Sequence, residues 1–316
     1  MVGSCLVSVH WDKPDEDLDW KTISYLGSLK IQAKEDTFEH VLCFVQQRAR
    51  EFKIYCDCRA LSTSDQIIEL LNAGCVKVFL SQSLLHTLFE DKAFSLDYVD
   101  RLVLYMDSDL PDDVEKSIDD YSQRSKAQLS FAGNLRQCES LQAKAKNAHL
   151  YRELYAVLVD PLAEGAVNLL KRDLNVILAS SRLCDHYPSD GRLELHRLIT
   201  DIAQSDRPDG LIPTIVADER GVSLGLVYSS RESIAKAIEL GRGVYYSRSR
   251  KGLWIKGEES GNTQQLLGIS LDCDADSLQF RVRQRGEGSI SLTRCLPYAD
   301  SQKVSVTCRL RHALVL

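Results

Sequence analysis

Lys53-Ile54-Tyr55-Cys56, Ile67-Ile68-Glu69-Leu70-Leu71 running to Gly74, and Val76-Lys77-Val78-Phe79-Leu80 are the stretches on which the fold turns. The first and third are short apolar runs of strand character. The middle one sets apolar side chains at helical spacing and stops at a glycine. Together they read strand, helix, strand. The same grammar returns at Tyr155-Ala156-Val157-Leu158-Val159, Gly165 to Lys171, and Asn175-Val176-Ile177-Leu178-Ala179. Arg101-Leu102-Val103-Leu104-Tyr105 and Gln128-Leu129-Ser130-Phe131 supply further strands between them. Residues 1–203 therefore read as an α/β domain with a mostly parallel sheet, barrel-like or open, to which no activity is assigned.

A chain of 316 residues, at about 150 per domain, has room for roughly two domains. Its 44% hydrophobic and 27% charged residues exclude collagenous, low-complexity and largely disordered classes. The net charge of −6 leaves no chain-wide positive field to hold a polyanion, so no nucleic-acid partner is expected. Ten cysteines are too dilute for a secreted disulfide framework, and Met1-Val2-Gly3-Ser4-Cys5-Leu6-Val7 is not a leader, so a cytoplasmic location is expected. The apolar stretch Tyr155 to Leu170 is broken by Asp160, Pro161 and Glu164, short of the roughly 20 apolar residues a membrane span needs. No membrane partner is expected.

Within the first half, Asp57 and Asp160 follow strand-like runs, where an α/β sheet often places ligands, but helix capping or loop solvation is the favoured expectation for both. The acid run Asp107 to Asp120 is expected to be a solvated loop entering a helix. Cys56 and Cys58 have no second thiol pair at zinc-site spacing and are expected in or near the core.

After Asp206-Arg207-Pro208-Asp209-Gly210 the texture changes to closely spaced β-type runs: Leu211 to Ala217, Val222 to Tyr228, Val244 to Tyr246, Leu253 to Ile255, Leu266 to Leu271 and Leu278 to Val282. One helix interrupts them, with Ser229 and Glu232 as an expected capping box, Ile234, Ala235, Ala237 and Ile238 as its apolar face, and Gly241 beyond its end. The second half is thus a β-rich α+β unit. Between Gly241 and Lys256 the bases Arg242, Arg248, Arg250, Lys251 and Lys256 stand without an acid, interleaved with Tyr245, Tyr246 and Trp254. Such a cationic, aromatic-lined surface suits a phosphorylated ligand with a flat ring, and equally an exposed basic hairpin. The turn Gly257 to Gln264 offers small hydrogen-bonding residues. If the strand from Leu266 continues through Asp272-Cys273-Asp274-Ala275-Asp276, period-2 geometry sends the carboxylates to one face and the thiol to the other. Oxygen ligands favour Mg²⁺ or Ca²⁺ and a thiol suits Zn²⁺; a solvated acidic turn is the competing possibility.

Tyr246-Ser247-Arg248-Ser249-Arg250, Leu253-Trp254-Ile255-Lys256-Gly257-Glu258, Ser260-Gly261-Asn262 and Asp272 to Asp276, in this order and spacing, resemble phosphoribosyl-AMP cyclohydrolase, most closely the form in the fungal trifunctional histidine-biosynthesis proteins. Asp209 to Pro213, Leu226 to Ser230 and Gly241 to Tyr246 match as well, and the resemblance covers residues 204–288. It implies a homodimer with shared active sites and metal-assisted hydrolytic opening of the adenine ring of phosphoribosyl-AMP at N1–C6. It further implies that Asp272, Asp274 and Asp276 bind Mg²⁺ and that Cys273 is a Zn²⁺ ligand. Glu258 and Asp274 take catalytic roles by the same resemblance. Ser247, Arg248, Arg250, Trp254, Lys256, Ser260, Gly261 and Asn262 hold the substrate.

The tail departs from this pattern. Where the family places a Cys-His pair and a further Cys, this chain has Ser289, Ile290 and Leu296, with Cys295 one residue out of register. Cys295 becomes a zinc ligand only through a one-residue deletion; Cys308 and His312 stand in a helical i, i+4 relation open to replacement donors, but chance proximity in a basic tail is the favoured expectation. Residues 289–316 are expected to be an atypical, frame-altered tail. The alternative to an active enzyme is a catalytically impaired product that binds nucleotide or serves as an interaction module.

Overall fold

The computed structural model describes residues 5–9, 24–25, 27–91, 94–106, 128–144, 151–158, 168–170, 174–179, 183–184 and 193–286. Asp160, the acid run Asp107 to Asp120, Cys295, Cys308 and His312 lie outside the described residues.

The strand-helix-strand grammar closes on itself. Strands β1 (Cys5–Val9), β2 (Ser28–Lys34), β3 (Lys53–Ala60), β4 (Lys77–Leu80), β5 (Leu102–Tyr105), β6 (Ser130–Asn134), β7 (Leu154–Leu158) and β8 (Asn175–Ala179) form a closed barrel in chain order. Each pair is parallel, and β1 meets β8 through Leu6 opposite Ile177. The barrel-like alternative is the one realised. Helices α1 (Phe38–Arg48), α2 (Ser64–Ala73), α3 (Gln82–Glu90) and α4 (Leu135–Lys144) accompany it. Thr63 and Ser81 cap α2 and α3, and Gly74 ends α2 at φ 110°, a conformation costly for any residue with a Cβ.

Alternation along the strands sorts the barrel into two sets. Leu29, Ile31, Ile54, Cys56 and Cys58 share one apolar cluster with Val41, Val45, Ile67 and Leu70 of the helices. Leu6, Tyr55, Phe79, Val103, Ala132, Tyr155 and Ile177 form a separate inner cluster. Cys56 and Cys58 are fully buried, as expected; the Cys75 contact followed by burial pushes the Cys56 thiol well up, and burial does the same for Cys58. Asp57 is neither a cap nor a solvated loop residue. It lies inside β3, buried, where Lys30 Nζ donates to it at 2.7 Å and Arg59 Nε at 2.9 Å. Desolvation pushes its carboxyl up, but hydrogen bonds and charge from Arg59 and Lys30 outweigh it and hold the group below its usual range.

Beyond the two-stranded pair β9 (Leu183–Cys184) and β10 (Leu193–Glu194), helix α5 (Leu195–Ile202) is shared between domains. Leu198 and Ile202 join the cluster around the barrel, whereas Leu195 and Ile199 join the core of the second domain. That domain is a six-stranded sheet of β11 (Ile212–Ala217), β12 (Ser223–Ser229), β13 (Val244–Ser247), β14 (Gly252–Ile255), β15 (Thr263–Leu271) and β16 (Leu278–Arg285) in the order β14-β13-β12-β11-β16-β15. The sheet curls, because Gly243 N donates to Gln264 O at 2.8 Å and Leu266 N to Gly241 O at 3.0 Å. Helix α6 (Arg231–Leu240) buries Ile234, Ala237 and Ile238 in a core with Val244, Tyr245 and Phe280.

The capping box of α6 sits one residue later than expected, between Ser230 and Ser233. Ser229 ends β12, and its buried hydroxyl accepts from Thr214 Oγ1 at 2.8 Å, so it is unavailable as the cap. Gly241 closes the helix at φ 63°, as expected. Among the described residues no helix is long and apolar enough to cross a membrane.

Candidate active site

The site grows from one end of the second sheet. A register row crosses Leu271, Leu278, Thr214 and Val227, and one residue on it continues through Tyr228, Tyr246 and Leu253. Residues just beyond this row therefore share an edge, although they come from distant parts of the sequence.

Asp272 to Asp276 lie there. The expected strand continuation does not occur: β15 stops at Leu271, and the pentapeptide is an irregular loop before β16. Ala275 breaks the alternation by adopting φ 63°, with its side chain buried against the cluster around the barrel. Its carbonyl accepts from Gln204 N at 2.7 Å. This turn brings carboxylate oxygens of Asp272, Asp274 and Asp276 within 4.8 Å of one another, the only such cluster of potential metal donors among the described residues. The electrostatics are those of crowded anions. Asp274 pushes the Asp276 carboxyl up. For Asp272, desolvation acts upward, but hydrogen bonds led by Ser277, whose N–H donates at 3.2 Å, hold it down. Cys273 is exposed on this loop.

Next along the edge, Tyr228 carries two guanidinium groups over its ring, Arg248 at 4.0 Å and Arg207 at 4.7 Å from the centroid. Asp209 orients Arg207 through contacts of 3.0 and 2.8 Å. Arg248 belongs to the β13–β14 turn, where Ser247 Oγ accepts from Arg250 N at 3.3 Å. Arg250 in turn reaches Glu259 at 3.0 Å. Trp254 packs against buried Tyr245, ring centroids 5.9 Å apart, and Lys256 lies 5.2 Å from the Trp254 ring. Tyr245 is itself fixed by donating to Gln264 Oε1 at 2.6 Å.

The turn carrying Glu258, Ser260, Gly261 and Asn262 is packed so closely that it depends on two glycines. A Cβ at Gly257, which has φ 85°, would fall 2.4 Å from the Asn262 carbonyl, and one at Gly286 would fall 2.5 Å from Asn262 Oδ1. Glu258 and Ser260 are exposed on it. This turn leads into β15, whereas Asp272 follows the other end of that nine-residue strand. At about 3.3 Å per residue, roughly 30 Å separate the two. One chain thus brings Arg207, Tyr228, Arg248 and the aspartate loop to a shared edge, reaches the turn through Arg250 and Glu259, and leaves Ser260 to Asn262 far from Asp272. Arg207 and Tyr228 were not singled out as site residues from the sequence. Tyr228 lies in a segment flagged by the resemblance and Arg207 in the turn read as a domain boundary, and only folding shows that they stack.

The family model for phosphoribosyl-AMP cyclohydrolase matches residues 225–291, which include Arg248, the turn and the aspartate loop. The chain is 35% identical over 276 residues to the histidine biosynthesis trifunctional protein of Neurospora crassa, covering 86% of this chain and 30% of that protein. It is 30% identical over 311 residues to the histidine biosynthesis bifunctional protein of Schizosaccharomyces pombe, covering 95% of this chain and 70% of that one. A phosphoribosyl-AMP cyclohydrolase of Thioalkalivibrio sulfidiphilus matches at 53% over 81 residues, 25% of this chain and 61% of that protein. The architecture is that of a cyclohydrolase domain carried behind a parallel barrel. The chain belongs to the phosphoribosyl-AMP cyclohydrolase family, in its multifunctional histidine-biosynthesis branch. It spans about 30% of the length of the Neurospora trifunctional relative.

Proposed function

We propose that this chain catalyses the hydrolytic opening of the adenine ring of phosphoribosyl-AMP at the N1–C6 bond, a step of histidine biosynthesis. The observation that carries this reading is the meeting of the aspartate loop with the Arg207–Tyr228–Arg248 stack at one sheet edge, inside or beside the family-matched segment.

The donor set of the loop fits Mg²⁺: Asp272, Asp274 and Asp276 are hard oxygen donors, exposed and close enough to converge on one ion. Bound there, the ion supplies positive charge that orients and polarises the phosphorylated substrate. The chain's own residues do the rest. Arg248, Arg250 and Lys256 hold the phosphates as charge-assisted donors, with Ser247 as a hydroxyl partner. Trp254 offers a face to the purine, Ser260, Gly261 and Asn262 form a polar cradle, and Glu258 and Asp274 are the carboxylates assigned to proton handling. Zinc is a different case. Cys273 is the one thiol that the described residues of a single chain bring to this loop, where a zinc site takes four donors. The described donors do not fit zinc.

Two further features support the reading. The distance between the turn and the aspartate loop within one chain suits a site assembled from two copies. Cys56, Cys58, Cys75 and Cys138 are free buried thiols, which suits a reducing, cytoplasmic compartment.

The test is ring opening of phosphoribosyl-AMP by the full chain with Mg²⁺, followed by ultraviolet absorbance. Asp274→Asn is expected to lower turnover on the order of 100-fold and to weaken Mn²⁺ binding measured by paramagnetic resonance. Turnover equal in wild type and variant, or no turnover by a wild type that binds Mn²⁺, overturns the enzyme reading.

A further inference from the structure

The barrel meets the second domain across a cleft of about 590 Å³ that the candidate active site does not use. One wall is the turn between α1 and β3, with Arg50, Glu51 and Phe52, together with Tyr25 ahead of β2. The other is Gln265 and Leu266 of β15 with Arg281 and Arg283 of β16. A second lobe of about 320 Å³ shares Tyr25, Arg50, Phe52 and Arg281 and extends to Lys53 and Ser270.

The charges in this cleft do not balance. Its acids are already engaged, Glu51 with Arg48 at 2.5 Å and Glu219 with Arg283 at 2.7 Å. Arg50, Lys53 and Arg281 have no acidic partner among the described residues. Arg50 and Lys53 on one wall and Arg281 on the other line the same gap of ligand size, so an anion within it would draw cations from both domains. Guanidinium forks match the oxygens of a phosphate in pairs, and half-buried Phe52 and Leu267 offer apolar surface beside them.

We propose that the cleft is a second binding site, for a small organic phosphate held between Arg50 of the barrel and Arg281 of the cyclohydrolase sheet. The site requires both domains. The 81-residue match to the Thioalkalivibrio cyclohydrolase is too short to contain the barrel wall. An occupant bridges the domains and braces β15 and β16, the strands that flank the aspartate loop, so it is placed to tune that loop from a distance.

The test is calorimetric titration of the metal-free full chain with inorganic pyrophosphate at low ionic strength. Arg50→Gln and Arg281→Gln are each expected to weaken one binding event at least 10-fold, Arg281→Lys less so, while Arg248→Gln leaves that event intact. Wild type that takes up no pyrophosphate, or binding that responds to Arg248→Gln but stays within 2-fold in both cleft variants, overturns the proposal. Arg50 is exposed in the turn, so its variant keeps the comparison valid if Arg281→Gln impairs folding. Because the readout is binding, its outcome is separate from the outcome of the ring-opening assay.

Discussion

At the scale of single residues, the barrel interior shows what a buried charge requires. Asp57 is held by Lys30 and Arg59, and without it the buried Lys30 ammonium would lose its carboxylate. Asp57→Asn is expected to destabilise the protein by about 3–5 kcal/mol, the usual result of removing one partner of a buried pair, read by urea unfolding at pH 7. The pH dependence follows from the direction of the shift. A carboxyl held below its usual range contributes stability above its unfolded pKa of about 3.9 and loses it as pH falls through the lower folded value. The gap between wild type and Asp57→Asn is therefore expected to be constant from pH 8 to about pH 5 and to narrow in stronger acid. A gap that widened in acid would contradict this assignment. The role of Asp57 was not legible in the sequence because its partner Lys30 is 27 residues away, whereas Cys56 and Cys58 were readable as core from their strand context alone. Arg207 and Tyr228 were equally hidden as site residues, since stacking across strands leaves no local pattern, whereas Arg248 was legible in the basic island.

At the scale of elements, regular periodicity was the reliable signal and its interruptions were not. The strands around Val78, Val103, Ile177, Val244 and Phe280 fall where apolar runs put them. The loop after Leu271 does not, because one residue, Ala275, leaves extended geometry and finds burial against another domain. Barrel closure is likewise a long-range fact, made by β1 meeting β8 across the whole domain. The α6 cap was displaced by one residue because Ser229 and Ser230 are chemically alike and only the Thr214 bond tells them apart. Ser230→Ala is expected to cost about 1 kcal/mol, as a lower urea midpoint with unchanged slope, and Glu232→Ala less than half of that. Equal losses would return the cap to the earlier pair.

At the scale of the whole molecule, the second sheet exposes an apolar strip. Ile215 and Leu226 stand directly opposite each other on β11 and β12 with 42% and 62% of their surfaces open, and Leu253 is exposed on β14. A second copy of the chain is the occupant proposed for this strip, an extension of the proposal that the site draws on two copies. Leu226→Lys is expected to shift sedimentation from dimer to monomer at micromolar concentration and to lower ring-opening turnover in parallel. A variant that stays dimeric places the interface elsewhere. Helix α5 carries a different lesson. Both of its apolar sides are claimed, Leu198 and Ile202 by one core and Leu195 and Ile199 by the other. Severing the polypeptide between residues 203 and 204 would strand a greasy stripe on the barrel fragment and open a trench in its neighbour. The two halves behave as tenants of a common wall, and neither can be evicted without damage to the one that stays.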